Sequence, residues 1–177
     1  MNRAFAAAAA ALYAASAAPA SAQEVFGGVY SHDVETALNL SGDVEGGSGF
    51  QLGVRGAPIR GLRSIGAPSP YVLAQVNSEG NTHFASAGIS WKFGRRVYVR
   101  PGIGLAVHTG PGKVVPGDGR IDFGSRILFQ PELGIGAKVS ERVSIEASLV
   151  HLSHATLFSG QNPGMDTIGV RLNYRFR

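Results

Sequence analysis

Two side chains near the C-terminus, His151 and Ser153, interrupt a run that is otherwise apolar at every second position. Starting at Val143 the alternate residues are Val143, Ile145, Ala147, Leu149, His151 and Ser153, against Ser144, Glu146, Ser148, Val150 and Leu152. A third polar residue, Asp166, opens the next alternating run, which continues Ile168, Val170, Leu172, Tyr174 and Phe176. A hydroxyl, an imidazole and a carboxylate are the groups that nucleophilic ester cleavage needs. The imidazole takes the hydroxyl proton, and the carboxylate orients the imidazole and stabilises its charged form. The bland reading is that Ser and His sit at the end of a strand because polar residues gather near loops. Against it stands the cost of placing three polar groups on an apolar face without hydrogen bonds. If the two runs are strands joined by the connection 154–165, Ser153 and Asp166 flank one hairpin. Cross-strand neighbours on one face lie roughly 4.5–5.5 Å apart at Cβ, so the three side chains can converge.

The elements that must hold these groups are read from the same periodicity. Helical spacing is absent, and alternation of period two recurs in segments of about ten residues. Eight segments can be drawn, near 24–32, 48–57, 70–78, 81–93, 96–108, 124–138, 142–153 and 166–176. A soluble sandwich would turn the apolar face inward; a transmembrane barrel turns it out to lipid and fills its lumen with small and polar residues. Length favours the barrel, since strands of five or six residues are usual in globular sheets. Connection lengths favour it too: 33–47, 109–123 and 154–165 are long, whereas 94–95 and 139–141 are short. The connections near 58–69 and 79–80 depart from that pattern. The expected fold is an all-β, eight-stranded antiparallel transmembrane β-barrel, whose interior is just filled by side chains. Glu132, Glu146, Arg171 and Arg175 fall on its polar face and are expected to pair in the lumen. That parity removes Glu132 and Glu146 as rivals to Asp166 for the acid.

Ahead of this domain, Arg3 precedes an alanine-rich stretch that ends in the small-x-small triplet Ala20-Ser21-Ala22. This is the layout of a cleaved secretory signal peptide, residues 1–22, leaving residues 23–177 as one domain. The 177 residues contain no cysteine, so neither a disulfide framework nor thiol chemistry is available. The formal charge of +4 is scattered and forms no basic face for nucleic acid. His32, His83 and His108 lie on separate segments with no carboxylates at ligand spacing, so they read as structural and no metal or other cofactor is implied. Lys113, Arg120 and Arg126 are loop cations that could meet phosphates or simply face solvent.

The run His151-Leu152-Ser153-His154-Ala155, followed by Asn162-Pro163-Gly164-Met165-Asp166, resembles the signature of the lipid A 3-O-deacylases, PagL-type outer-membrane proteins. The resemblance extends over the whole mature chain. It implies a membrane-embedded enzyme of the cell outer membrane, a carboxylic ester hydrolase that removes the ester-linked acyl chain at the 3-position of lipid A in lipopolysaccharide. Carried onto this chain, it makes Ser153 the nucleophile, His151 the base and Asp166 the acid. Asn162 matches a loop asparagine associated with the oxyanion, and His154 stands where the family commonly has an asparagine after the serine. The acid also departs from the family, which commonly has Glu there. A backbone N–H beside His154 could still supply an oxyanion contact. Two other functions fit the same residues: a non-catalytic small barrel for adhesion or envelope integrity, and a lipid A acyl transferase using the same nucleophile. Oligomeric state is open, a homodimer included.

Overall fold

In hydrocarbon every backbone N–H and C=O must find a protein partner, so a sheet crossing a membrane has to close on itself. The computed structural model, which describes residues 22–39, 44–111, 119–154 and 163–176, shows that closure. Its strands are β1 (Ala22–Ser31), β2 (Ser48–Gly56), β3 (Ser69–Asn77), β4 (Phe84–Ser90), β5 (Phe93–Gly94), β6 (Val97–His108), β7 (Ile127–Lys138), β8 (Val143–Leu152) and β9 (Met165–Arg175). Each strand pairs antiparallel with its neighbours in the order β4-β3-β2-β1-β9-β8-β7-β6-β5, and β4 also pairs with β6. The first and last strands are joined from Glu24↔Arg175 to Ser31↔Ile168. Among the described residues one short 3-10 helix, Arg60–Ile65, fills the connection between β2 and β3.

The barrel has eight staves, as the alternation implies, but the fourth is divided. The segment expected as one strand over 81–93 begins at Phe84, stops at Ser90 and resumes only as β5 against β6. At its start, the N–H of Thr82 is taken by the Glu45 carboxylate and that of His83 by Thr109 Oγ1. At the break, the Trp91 indole donates to the Ile65 carbonyl at 2.7 Å, turning the residue toward the 3-10 connection.

The direction of the apolar face decides between barrel and sandwich. Along β6, Tyr98, Arg100, Gly102, Gly104, Ala106 and His108 are buried, while Val97 is 66% exposed and Leu105 55% exposed. Large aliphatic side chains point outward on β7 and β9 as well, with Ile135 and Leu172 exposed. Exposing such side chains to water forfeits roughly 1.5–3 kcal/mol each, whereas facing acyl chains forfeits little.

Inside, the charges are paired. Arg171 is fully buried and donates from Nε and Nη2 to Glu146 Oε1 at 2.9 and 2.5 Å. It also donates from Nη2 to Glu132 Oε1 at 3.2 Å and from Nη1 to Gln51 Oε1 at 3.2 Å. Arg100 Nε donates to Glu146 Oε2 at 3.0 Å, and Arg55 pairs with Glu24. Three arginines thus face three glutamates. The guanidiniums of Arg55 and Arg171 also flank the Phe26 ring, 4.6 and 4.8 Å from its centroid. Room for the Glu146 carboxylate comes from Gly134, where a Cβ would lie 2.4 Å from Glu146 Oε1. The expectation for Arg175 is corrected. It has the inward parity of Arg171 and stands opposite Glu24 in the ladder, but as the last residue of β9 it is exposed at the rim. Glu24, Arg55 and Arg100 occupy the network in its place.

Removing one partner of a buried ion pair strands the other, at about 3–5 kcal/mol. Glu146→Ala should therefore lower the temperature at which the folded, fast-migrating band is lost in detergent, while activity persists at low temperature. An unchanged midpoint would contradict the assignment.

Candidate active site

His151 and Asp166 are direct partners in the β8–β9 ladder. Both have the outward parity of Ile145 and Ile168, which places them on the wall that faces lipid, at the long-loop end of the barrel. The imidazole Nδ1 lies 2.6 Å from Asp166 Oδ1. A carboxylate can only accept, so this bond selects the tautomer with hydrogen on Nδ1 and leaves Nε2 as an acceptor. The ring edge lies against bare backbone: Gly164 has φ +71°, and a Cβ there would be 3.1 Å from His151 Cε1. A side chain at 164 would be strained twice over, by its backbone conformation and by the imidazole.

Ser153 follows two residues after His151. A bridge to Phe129 on β7 holds its backbone, with Ser153 N–H to Phe129 O at 3.1 Å and Phe129 N–H to Ser153 O at 2.7 Å. Phe129 has outward parity, so Ser153 shares the face of His151. The serine is 8% exposed and the imidazole side chain 14%. Among the hydrogen bonds of the described residues, none joins the Ser153 hydroxyl to His151. The imidazole–carboxylate contact is closed, and the serine stands beside it on the same face. Glu132 and Glu146, the rival acids, are held on Arg171 inside the lumen. His154 is fully buried next to Ser153. Asn162 lies outside the described residues, as does Lys113.

Asp166 has an outward position but is fully buried, because the β1–β2 connection folds over it. Thr36 Oγ1 donates to Asp166 Oδ2, and the Val34 N–H donates to the Asp166 backbone carbonyl at 2.8 Å. The direction of the threonine bond is set by its other contacts, for Oγ1 accepts from the N–H groups of Leu38 and Asn39 at 3.0 and 3.3 Å. Sequence reasoning missed Thr36, which is 130 residues from its partner, and no local signal marks it.

The same connection is pinned at two further points. Asp33, with φ +49°, accepts from the N–H groups of Val44 and Glu45 and from Asn39 Nδ2. Burial pushes the Asp33 carboxyl above the usual range, against the lowering effect of these bonds. Glu45 accepts from Thr82 N–H at 2.8 Å, Thr82 Oγ1 at 3.0 Å and Ile121 N–H at 3.1 Å, and lies 3.2 Å from His32 Nε2. Burial opposes its charge, but these bonds outweigh burial and hold it at about 2. The remaining histidines have loop and rim partners: His83 Nδ1 accepts from Asn77 N–H, and His108 Nε2 donates to the Ser125 carbonyl. Arg126 donates to the Gly110 carbonyl at 2.6 Å, and Arg120 approaches Glu45 at 3.6 Å. Among the described residues no group of three or more His, Cys, Asp or Glu could hold a metal ion.

Fold and site together define a membrane-spanning eight-stave barrel with a histidine–carboxylate pair on its lipid-facing wall. The family model described as lipid A 3-O-deacylase (PagL) matches residues 26–175. The chain belongs to that family, and is an outer-membrane ester hydrolase acting on lipid A. Among solved structures it is similar to the outer-membrane enzyme PagL, at 16% identity and a TM-score of 0.60 over 86% of this chain and 99% of that one. It is also similar to Neisserial surface protein A, at 12% identity and TM-score 0.53 over 86% and 96%. A de novo designed transmembrane β-barrel gives 11% identity and TM-score 0.52 over 88% and 95%. These likenesses are of fold. A comparison with curated protein sequences finds no match.

The depressed value of Glu45 has a consequence for the loops. Relative to a carboxyl of 4.5, its contribution is fully present above about pH 4.5 and is lost as pH falls toward about 2. Amide exchange at Thr82 and Ile121, corrected for intrinsic rates, should stay slow above that window and accelerate within it. Glu45→Gln should make both amides fast at neutral pH; slow exchange in that variant would show that the loops are held by something else.

Proposed function

We propose that Ser153, His151 and Asp166 are the catalytic triad of the lipid A 3-O-deacylation, following an export segment, residues 1–22, that is removed ahead of Gln23. The observation that carries this reading is the 2.6 Å His151–Asp166 bond on the membrane side of the wall. In the lumen, such a pair could not meet an acyl chain. On the lipid-facing side at the loop end, it lies where an ester near the headgroup boundary can reach it. The acyl chains of the substrate already occupy the bilayer, so little additional binding energy is needed to bring the ester to the serine.

Ser153 Oγ attacks the carbonyl carbon of the 3-linked acyl ester, and its proton passes to His151 Nε2. Asp166 stabilises the imidazolium so formed through Nδ1. The Ser153 N–H is held by Phe129, so the tetrahedral oxyanion is left to the backbone N–H of His154 and to Asn162. The intermediate collapses, the C–O bond to the lipid A hydroxyl breaks, and that oxygen takes the proton from Nε2. Water, deprotonated by His151, then attacks the acyl-serine and releases free fatty acid. The Ser153–His151 hydrogen bond is expected to form in the substrate complex, since such catalytic bonds often tighten only there. Asp166, one methylene shorter than Glu, still reaches the imidazole because the two residues are directly opposed across the ladder.

Ser153→Ala and His151→Ala should each abolish loss of a hydroxyacyl chain from lipid A, read by mass spectrometry, while the barrel still folds. Full activity in Ser153→Ala would show that another residue is the nucleophile. Product in the form of a second acylated lipid, instead of free fatty acid, would identify a transferase. Because a hydrogen bond to a charged group contributes about 1.5–3 kcal/mol, Thr36→Val should lower kcat by roughly 10- to 100-fold with little change in KM. Thr36→Ser should retain most activity. Equal kcat in wild type and Thr36→Val would show that Asp166 needs no second partner.

A further inference from the structure

The interior arginines are all paired, whereas those at the short-turn end of the barrel are not. Arg60 and Arg63 of the 3-10 connection, Arg95 and Arg96 of the β5–β6 turn, Arg142 of the β7–β8 turn and Arg175 are exposed. Among the described residues none of these six forms an ion pair. The long-loop end is different, carrying Asp33, Glu35, Glu45, Glu79 and Asp122 alongside Arg120 and Arg126, the first of which approaches Glu45. Short turns face the periplasm in outer-membrane barrels, so the basic rim lies at the headgroup level of the periplasmic leaflet.

Part of this rim is concave. The β5–β6 and β7–β8 turns bound an open cleft of about 330 Å³, lined by Arg95, Arg96, Lys138, Val139, Ser140 and Glu141. Three cations and one carboxylate leave it a net charge of +2. Its floor is fixed by backbone bonds, Lys138 N–H to Arg96 O at 2.8 Å and the N–H groups of Val139 and Ser140 to Val143 O at 2.9 and 3.0 Å. Ser140 Oγ is occupied within its own turn, accepting from Val143 N–H at 3.1 Å. The rim cations therefore remain to meet a ligand. Around the cleft stand Phe93, Val97 and Val139, the last 69% exposed. Cations above an apolar wall match an amphiphile with an anionic head and match a soluble anion poorly.

We infer that this cleft binds the headgroup phosphate of an anionic glycerophospholipid of the periplasmic leaflet, with the acyl chains lying along Val97, Val139 and Ile135. Arg95 and Arg96 present paired N–H donors to the phosphate oxygens, and Lys138 adds a point charge. Glu141 sets a limit on the charge the site accepts. The binding is partly exposed and weakens with salt.

The test uses the purified full-length barrel in detergent, given phosphatidylglycerol or phosphatidylcholine of the same acyl chains, with retained lipid read by native mass spectrometry. Wild type should retain phosphatidylglycerol preferentially. Each cation near an anionic headgroup contributes roughly fivefold, so Arg95→Gln, Arg96→Gln and Lys138→Gln together should remove the preference, and Glu141→Gln should increase it. Should the triple variant fail to fold, judged by heat-modifiable migration, Arg95→Gln alone should reduce the preference about fivefold. Deacylation should be unchanged, since the cleft is at the opposite end of the barrel from Ser153. Equal retention of both lipids by wild type, or undiminished preference in the folded variants, would overturn the inference. So would displacement of the lipid by glycerol phosphate at low concentration, which would mark a site for soluble phosphate.

Discussion

The contact on which the rest of the structure depends is that between Arg171 and Glu146, opposite each other in the β8–β9 ladder. An eight-stave barrel is only wide enough inside for its own side chains, so a charge placed there must meet an opposite charge across the lumen. Arg171 meets two, and Arg100 and Arg55 complete a neutral cluster with Glu24. A slip of one residue between β8 and β9 would turn one member of this cluster out to lipid and bring aliphatic side chains in. His151 opposite Asp166 belongs to the same register, five positions along the same two strands. The interaction that fills the lumen therefore also aligns the imidazole with its carboxylate on the outer wall.

That outer pair then needs protection from two solvents. In lipid a carboxylate is costly, and in water its hold on the imidazole is weakened by screening. The β1–β2 connection resolves both by covering Asp166 with Thr36 and Val34, so that the carboxylate is fully buried although its strand position points outward. The connection is in turn tied to the β3–β4 and β6–β7 connections through Glu45. The outer loops thus hold the carboxylate in place, and the membrane wall presents the imidazole and the serine.

Much of this was legible in the sequence, for a physical reason. A barrel wall imposes alternation on every strand, so Val97 to His108 or Val143 to Leu152 announces both its conformation and its two faces. Residues that break the apolar face, His151, Ser153 and Asp166, stand out against that pattern, and a single hairpin brings the first and last together. What escaped depends on distant partners. The break after Ser90 follows from the Trp91 indole reaching Ile65. The exposure of Arg175 follows from where the wall ends, which parity does not report. Glu24, Arg55 and Arg100 were visible as polar positions, but their pairing runs across the lumen, and Thr36 reaches Asp166 from the opposite end of the chain.

In the proposed mechanism one serine on the outer wall is activated by the histidine two residues before it. A long-chain alkylsulfonyl fluoride, which enters micelles and reacts with activated serines, tests this directly when the intact protein is weighed and the adduct mapped by peptide sequencing. A single adduct on Ser153 is expected in the wild type, absent in His151→Ala and slowed in Asp166→Asn. An adduct on any other residue, or equal labelling of Ser153 when His151 is removed, would contradict it.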